Sequence, residues 1–126
     1  MKNKKAALIS FSIALAIILG ALSTHTLKEK ILPNQLESFK TGVFYHLLQS
    51  IALLVLATNN RFSIYKTEFY LIASGIILFS GSIYLLSTKE LFDLESITPI
   101  LGPITPLGGL LMIFGWILLG FRLLKE

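Results

Sequence analysis

The sequence predicts an all-α membrane protein, an antiparallel bundle of four transmembrane helices with a Pro/Gly-rich loop before helix four. Two observations carry this prediction. Of the 126 residues, 54% are hydrophobic and only 14% are charged, which is far from the composition of soluble domains. The apolar residues also form four runs, each approaching the ~20 helical residues that cross ~30 Å of hydrocarbon. Because these runs are apolar on every side, a soluble helical core fits them poorly.

We expect one integral membrane domain over residues 1–126, with helices over about 5–27, 35–58, 66–88 and 106–124. The first run follows MKNKK and imitates a secretory signal, but its length favours a retained first helix. In the second, Asn34 and Glu37 have the spacing of a capping box, which predicts Asn34 as the N-cap. The connections are short, so consecutive helices should be antiparallel.

The stretch ITPILGPITPLGG, residues 97–109, precedes the fourth run. We predict a loop in which Thr105 and Pro106 start helix four, since a threonine cap followed by proline suits a helix start. The motif comprises Gly102, Pro103, Thr105, Pro106, Gly108 and Gly109. One interpretation is a proline-capped start packed on its neighbours; the other is a broken-helix site whose free N–H groups bind an anion. We favour the first.

The positions of the Lys and Arg residues indicate how the chain is oriented in the membrane. Seven of the 11 Lys and Arg residues precede helix one, separate helices two and three, or follow helix four. The positive-inside rule therefore predicts cytoplasmic termini. Since these residues lie at helix ends and form no basic stripe, we expect no nucleic-acid partner.

Seven polar residues lie in the half of the helices away from the termini and form a candidate pocket: His25, Tyr45, His46, Gln49, Ser80, Ser82 and Thr105. At a spacing of three, His46 and Gln49 can point inward together. Hydrogen bonds between helices are the interpretation we favour, with a proton relay or a small polar-ligand site as the alternative. His25 fits a place at the water interface.

Other residues bear on packing and chemistry. Gly108, Gly115 and Gly120 should keep helix four slim, and the Trp116 N–H needs a partner within the bundle or between protomers. With no cysteine and only two histidines, we expect no metal site. No catalytic grouping is evident, so we expect neither an enzyme nor a cofactor.

Four segments carry a resemblance: GALSTHTL, FKTGVFYHLLQSIALL, GIILFSGSIYLL and LGPITPLGGLLMIFGWILL. They resemble the YgdD/YwdK-like small bacterial inner-membrane proteins, a family of unknown function with mitochondrial relatives. The resemblance implies a four-helix fold and supplies no activity. Where that family has glutamine this chain has His46, and where it has histidine this chain has Gln49, which argues against a strict catalytic role for His46.

We therefore expect a multi-pass protein of the bacterial cytoplasmic (inner) membrane with a structural, accessory or assembly-related role. The alternative is transport, permeation or lipid binding through the polar pocket. Membrane lipid is an expected partner, and a homo-oligomer or an unidentified membrane protein partner remains open.

Overall fold

The protein folds into four long helices joined by short connections, as a computed structural model describes for residues 3–125. The helices are α1 (Lys4–His25), α2 (Pro33–Thr58), α3 (Lys66–Ser87) and α4 (Thr98–Leu123), with 3-10 turns at Leu27–Glu29 and Glu95–Ile97. All four are long and apolar enough to cross a membrane. The predicted all-α membrane fold with four spanning helices is confirmed.

Each helix packs against the next one in the sequence, in the opposite direction. Asn3 near the start of α1 donates from Nδ2 to the Ala57 carbonyl near the end of α2, while Gly20 lies against Val43 further along. Among residues 3–125, α1 makes no close backbone approach to α3 or α4. The helices therefore form an open row, and the fourth side of a closed bundle is missing.

Two names locate features along this row. The distal end is the one with the connections 26–32 and 88–97. The proximal end is the opposite one, with the connection 59–65, the first turn of α1 and the last turn of α4.

The start of α2 differs from the prediction. The helix begins at Pro33, whose fixed φ suits the first helical position. Leu32 is the N-cap, and its N–H donates to Oε1 of Gln35 at 3.0 Å, which supplies one half of a capping box. The predicted cap at Asn34 is wrong because proline starts the helix at residue 33, two residues before the predicted start.

The Pro/Gly-rich segment is helical, so the predicted loop and the start at Pro106 are wrong. α4 begins at Thr98 and carries Pro103 and Pro106 inside it. Proline's φ is helical, but each internal proline removes the N–H that would bond the carbonyl four residues earlier and crowds that carbonyl with its ring. Hydrocarbon offers the backbone no competing partner, so the helix continues through both prolines.

The closest helix contact is between α3 and α4, at two facing glycines. A Cβ on Gly75 would lie 2.8 Å from the Gly108 carbonyl oxygen, and one on Gly108 would lie 2.8 Å from the Gly75 carbonyl oxygen. Neither position has room for a side chain, so the two backbones touch directly. By contrast, a Cβ on Gly120 would meet nothing within 4 Å, so the slimming role expected of that residue is wrong.

The apolar core lies toward the proximal half and joins α2, α3 and α4. Its buried members are Leu53, Leu56, Ala57, Tyr65, Phe69, Ile72, Ile76, Met112 and Leu119. α1 contributes only partly buried residues, Ala6 and Ile9, to this cluster. The first helix is therefore the peripheral member of the row.

Gly108→Ala should lower the midpoint of thermal unfolding in detergent, because the new methyl group forces α3 and α4 apart. Overpacking of this kind costs about 1 to 3 kcal/mol. Gly120→Ala is the matched control on the same helix, with space for the methyl group and a gain in helix propensity of up to about 1 kcal/mol. Equal midpoints for the two variants would contradict the backbone contact.

Candidate functional site

A chain of four hydrogen-bonded side chains links α1, α2 and α3 inside the membrane-spanning region. Ser12 Oγ lies 2.9 Å from His46 Nε2 and 3.2 Å from Ser50 Oγ. On the other side of the imidazole, His46 Nδ1 lies 2.9 Å from the Tyr84 hydroxyl. The order of the chain is thus Ser50, Ser12, His46 and Tyr84.

The local structure explains this arrangement. His46 and Ser50 are one turn apart on α2, so both present their polar atoms on the face toward α1. Both are buried, Ser50 completely. A neutral imidazole has one donor and one acceptor nitrogen, which matches one neighbour on each side. The His46 ring is therefore satisfied at both nitrogens without any group from outside the chain.

Toward the proximal end this polar chain stops. The next buried positions on the same face of α2 are Leu53 and Ala57, both members of the apolar core. Among the described residues, no further hydrogen-bonding side chain is joined to Ser50. The chain therefore covers part of the membrane thickness and does not connect the two ends of the helices.

Gln49 has a different partner from His46. Trp116 Nε1 on α4 donates to Gln49 Oε1 at 2.7 Å. The expectation that His46 and Gln49 point into one pocket is therefore wrong: the turn of the helix between them directs one toward α1 and α3 and the other toward α4. The N–H partner expected for Trp116 lies within the same chain.

Of the remaining pocket candidates, only Ser82 and Thr105 are hydrogen-bonded to each other. Ser80 Oγ donates to the Gly42 carbonyl at 2.8 Å, which ties α3 to α2. Ser82 and Thr105 share a hydrogen bond of 2.6 Å between α3 and α4. Tyr45 packs its ring edge-on against Phe79.

His25 is exposed at the distal end of α1, as expected for an interface residue. Tyr45 and Gln49 line one cavity of about 420 Å³ between α2, α3 and α4. With Ser82 and Thr105 as a second pair, the seven candidates are divided between five places, and no single pocket contains them all.

The residues of the predicted loop motif are divided in the same way. Gly102, Thr105 and Pro106 line a distal cavity of about 410 Å³ between α2, α3 and α4. Gly108 forms the backbone contact with α3, whereas a Cβ on Gly109 would make ordinary contact with the Phe79 ring at 3.6 Å. Pro103 is exposed. Only part of the motif therefore serves close packing.

Sequence reasoning missed Ser12, Ser50 and Tyr84 as members of the polar chain. Ser12 is a lone hydroxyl in the first apolar run, and Tyr84 lies near the distal end of α3. Antiparallel packing places Ser12 opposite the middle of α2, but the rotation of each helix decides whether its hydroxyl reaches His46. That rotation cannot be read from a run that is apolar on all sides.

A buried ion pair was also missed. Glu68, in the first turn of α3, is fully buried and accepts a hydrogen bond of 2.5 Å from Nε of Arg122 near the end of α4. Its second oxygen, Oε2, has no partner among the described residues. The sequence could have predicted this pair, because antiparallel packing of α3 and α4 brings the acidic first turn of α3 beside the basic last turn of α4.

Comparison with known proteins gives a consistent result. Residues 19–109 match DUF423, described as a protein family of unknown function. The UPF0382 membrane protein YwdK of Bacillus subtilis is 38% identical over 109 residues, which are 83% of this chain and 83% of that protein. A UPF0382 membrane protein of Haemophilus influenzae is 34% identical over 130 residues, covering 100% of this chain and 98% of its own.

A further relative comes from a eukaryote. A UPF0382 membrane protein of Schizosaccharomyces pombe is 35% identical over 103 residues, covering 81% of this chain and 86% of its own. No solved structure matches the chain. The resemblance to YwdK-like membrane proteins is thus confirmed.

Gln49→Leu should shift the fluorescence emission of Trp116 to shorter wavelength, because the indole N–H loses its acceptor and faces an apolar side chain. Trp116 is the single tryptophan, so its emission reports this contact alone. Ser80→Ala, which removes a hydrogen bond between α2 and α3, is the control and should leave the emission unchanged. An unchanged spectrum in Gln49→Leu would show that the contact does not form.

Arg122→Gln should destabilise the fold more than Glu68→Gln does. Losing the arginine leaves a fully buried carboxylate without its counter-ion, at a cost of about 3 kcal/mol, the low end for broken buried pairs. Losing the carboxylate leaves Arg122, whose side chain is 37% exposed and can reach solvent or headgroups. Thermal unfolding midpoints of both variants test this, and the reverse order would contradict the pairing.

Proposed function

Because this chain belongs to the DUF423 family of membrane proteins, we propose its role from the geometry: a non-catalytic accessory protein that supports the assembly or stability of other membrane components. One observation carries the proposal. The buried polar side chains of the candidate site that lie in the spanning helices are hydrogen-bonded to another helix of the same chain.

These interhelical hydrogen bonds occupy the polar groups that a transport site would need to bind its substrate. His46 is engaged at both ring nitrogens, Gln49 accepts from Trp116, and Ser80 donates to a backbone carbonyl. A substrate would have to displace these bonds, each of which averages only ~0.6 kcal/mol but leaves a polar group in hydrocarbon when broken. The arrangement therefore supports a structural role for these residues, in which their hydrogen bonds hold the helices together.

The outer faces of the row support an accessory role as well. Because α1 and α4 do not close on each other, each presents a broad apolar face that a helix of another protein, or of a second copy, can cover. Phe11 on α1 and Phe114 on α4 are 72% and 60% exposed. Side chains of this size gain dispersion contacts with any apolar surface that covers them, whether acyl chains or a partner helix.

We place the protein in the bacterial cytoplasmic membrane with both termini in the cytoplasm. The support is the distribution of basic residues: within residues 3–125, six Lys and Arg residues lie toward the proximal end and four toward the distal end. The four consecutive antiparallel spans put the two termini on the same side, in agreement with that charge pattern.

Permeation of protons is the second candidate, and the chain from Ser50 to Tyr84 is the observation that favours it. Each hydroxyl in that chain can donate or accept, so a proton could move by successive transfers through the imidazole. The same chain ends on the apolar residues Leu53 and Ala57, and a conducting path would have to continue beyond them. The geometry therefore supports a role for this chain in holding the helices together better than a role in conducting protons.

Two measurements separate these functions. In liposomes with an internal pH dye, the accessory role predicts that wild-type protein and His46→Leu dissipate a proton gradient no faster than protein-free liposomes. In cells, a photoreactive residue at Phe11 or Phe114 should give a discrete protein adduct from at least one of the two faces. The control position is Phe69, which is buried in the apolar core and should give no intermolecular adduct.

A proton flux that is present in wild type and lost in His46→Leu would replace the accessory role with permeation. Absence of any adduct from both exposed faces would remove the support for a protein partner.

A further inference from the structure

A second groove, separate from the candidate polar pocket, lies at the distal end between α1 and α3. It has a volume of about 420 Å³, within the range of ~300 to 1,000 Å³ typical of ligand sites. Its walls are mainly apolar and include Leu19 and Leu22 of α1, Phe39 of α2, and Leu85 of α3. The ring of Tyr84 forms part of the lining, while its hydroxyl is held by His46.

The rim of this groove carries a single charge. Lys30, in the connection after α1, is the only ionisable lysine, arginine, aspartate or glutamate among the lining residues. No ion pair joins its ammonium group to a carboxylate within residues 3–125. The acidic residues of the two distal connections, Glu29, Glu90, Asp93 and Glu95, lie outside the lining. The mouth of the groove is therefore complementary to an anion.

The connection after α3 borders the mouth of the groove through Leu91, Phe92 and Leu94. Asp93 has a positive φ of 52°, and the N–H of Leu94 donates to the Lys89 carbonyl at 2.8 Å, which closes a tight turn. The turn leaves Leu91 and Phe92 exposed at its surface, Phe92 by 66%. Apolar side chains on a connection beside a spanning helix belong at the boundary between headgroups and acyl chains. The groove thus opens where lipid headgroups lie.

From these features we infer that the distal groove binds an anionic phospholipid, with one acyl chain between α1 and α3 and the phosphate at Lys30. The groove is too small for a partner helix, since an α-helix about 10 Å wide fills roughly 400 Å³ per turn. A flexible chain fills such a groove along its length, and the apolar lining excludes a purely polar anion. This inference goes beyond the accessory role and does not depend on it.

Native mass spectrometry tests the site on the full chain. The protein is released from nanodiscs containing equal amounts of phosphatidylglycerol and phosphatidylcholine with identical acyl chains, and the retained lipids are identified by mass. Wild type should retain one lipid, with phosphatidylglycerol preferred by about fivefold, the factor expected for one lysine at an anionic headgroup.

Two variants and one control locate the lipid. Lys30→Gln should abolish the headgroup preference, whereas Lys28→Gln, a neighbouring lysine outside the groove lining, should keep it. Leu22→Trp should lower retention of both lipids, because the larger side chain occupies the space of the acyl chain. Unfolding midpoints equal to wild type in lipid-free detergent confirm that the variants are folded.

Three results would overturn the inference. Equal retention of both headgroups by wild type would remove the anionic preference. Loss of the preference in Lys28→Gln to the same extent as in Lys30→Gln would reduce it to general surface charge. Unchanged retention in folded Leu22→Trp would place the lipid elsewhere on the protein.

Discussion

The structure depends on one constraint: a polar group inside hydrocarbon must find its partner within the protein. Ser80 shows how this sets helix spacing. Its hydroxyl reaches the carbonyl of Gly42 at 2.8 Å, and glycine suits this close approach, since a Cβ at position 42 would crowd Ile83 at 3.0 Å and Tyr84 at 3.1 Å. A polar residue on one helix and a missing side chain on the next thus act as one unit, and the same unit fixes how close α2 and α3 come.

The contacts between α3 and α4 follow the same logic along their whole length. A hydrogen bond between Ser82 and Thr105 lies toward the distal end, the backbones touch at Gly108, and the ion pair of Glu68 with Arg122 lies at the proximal end. α1 is held to α2 mainly through Ser12 and the Asn3 side chain. The row is therefore most tightly joined at α3 and α4 and most loosely at α1.

The existence, number and direction of the helices could be predicted, because hydrocarbon thickness sets their length and short connections set their order. The starts of α2 and α4 could not, because proline at Pro33, Pro103 and Pro106 is compatible with both a helix interior and a helix start. The partners of His46 and Gln49 could not be predicted either. They depend on helix rotation, and a run that is apolar all round leaves that rotation open until small residues, such as Gly108, select the packed face.

Since His46, Gln49 and Ser80 are each hydrogen-bonded within the chain, the chemistry left for other molecules lies mainly on the outer surfaces of the row. The distal groove has an apolar wall and the single charge of Lys30, whereas the faces of α1 and α4 have only large apolar side chains. Tyr84 connects the two regions, because its ring lines the groove and its hydroxyl ends the chain that holds α1, α2 and α3 together. A molecule bound in the groove therefore contacts Leu19 and Leu22 of the loosest helix together with Tyr84 of α3, and its binding energy adds to the stability of the folded chain.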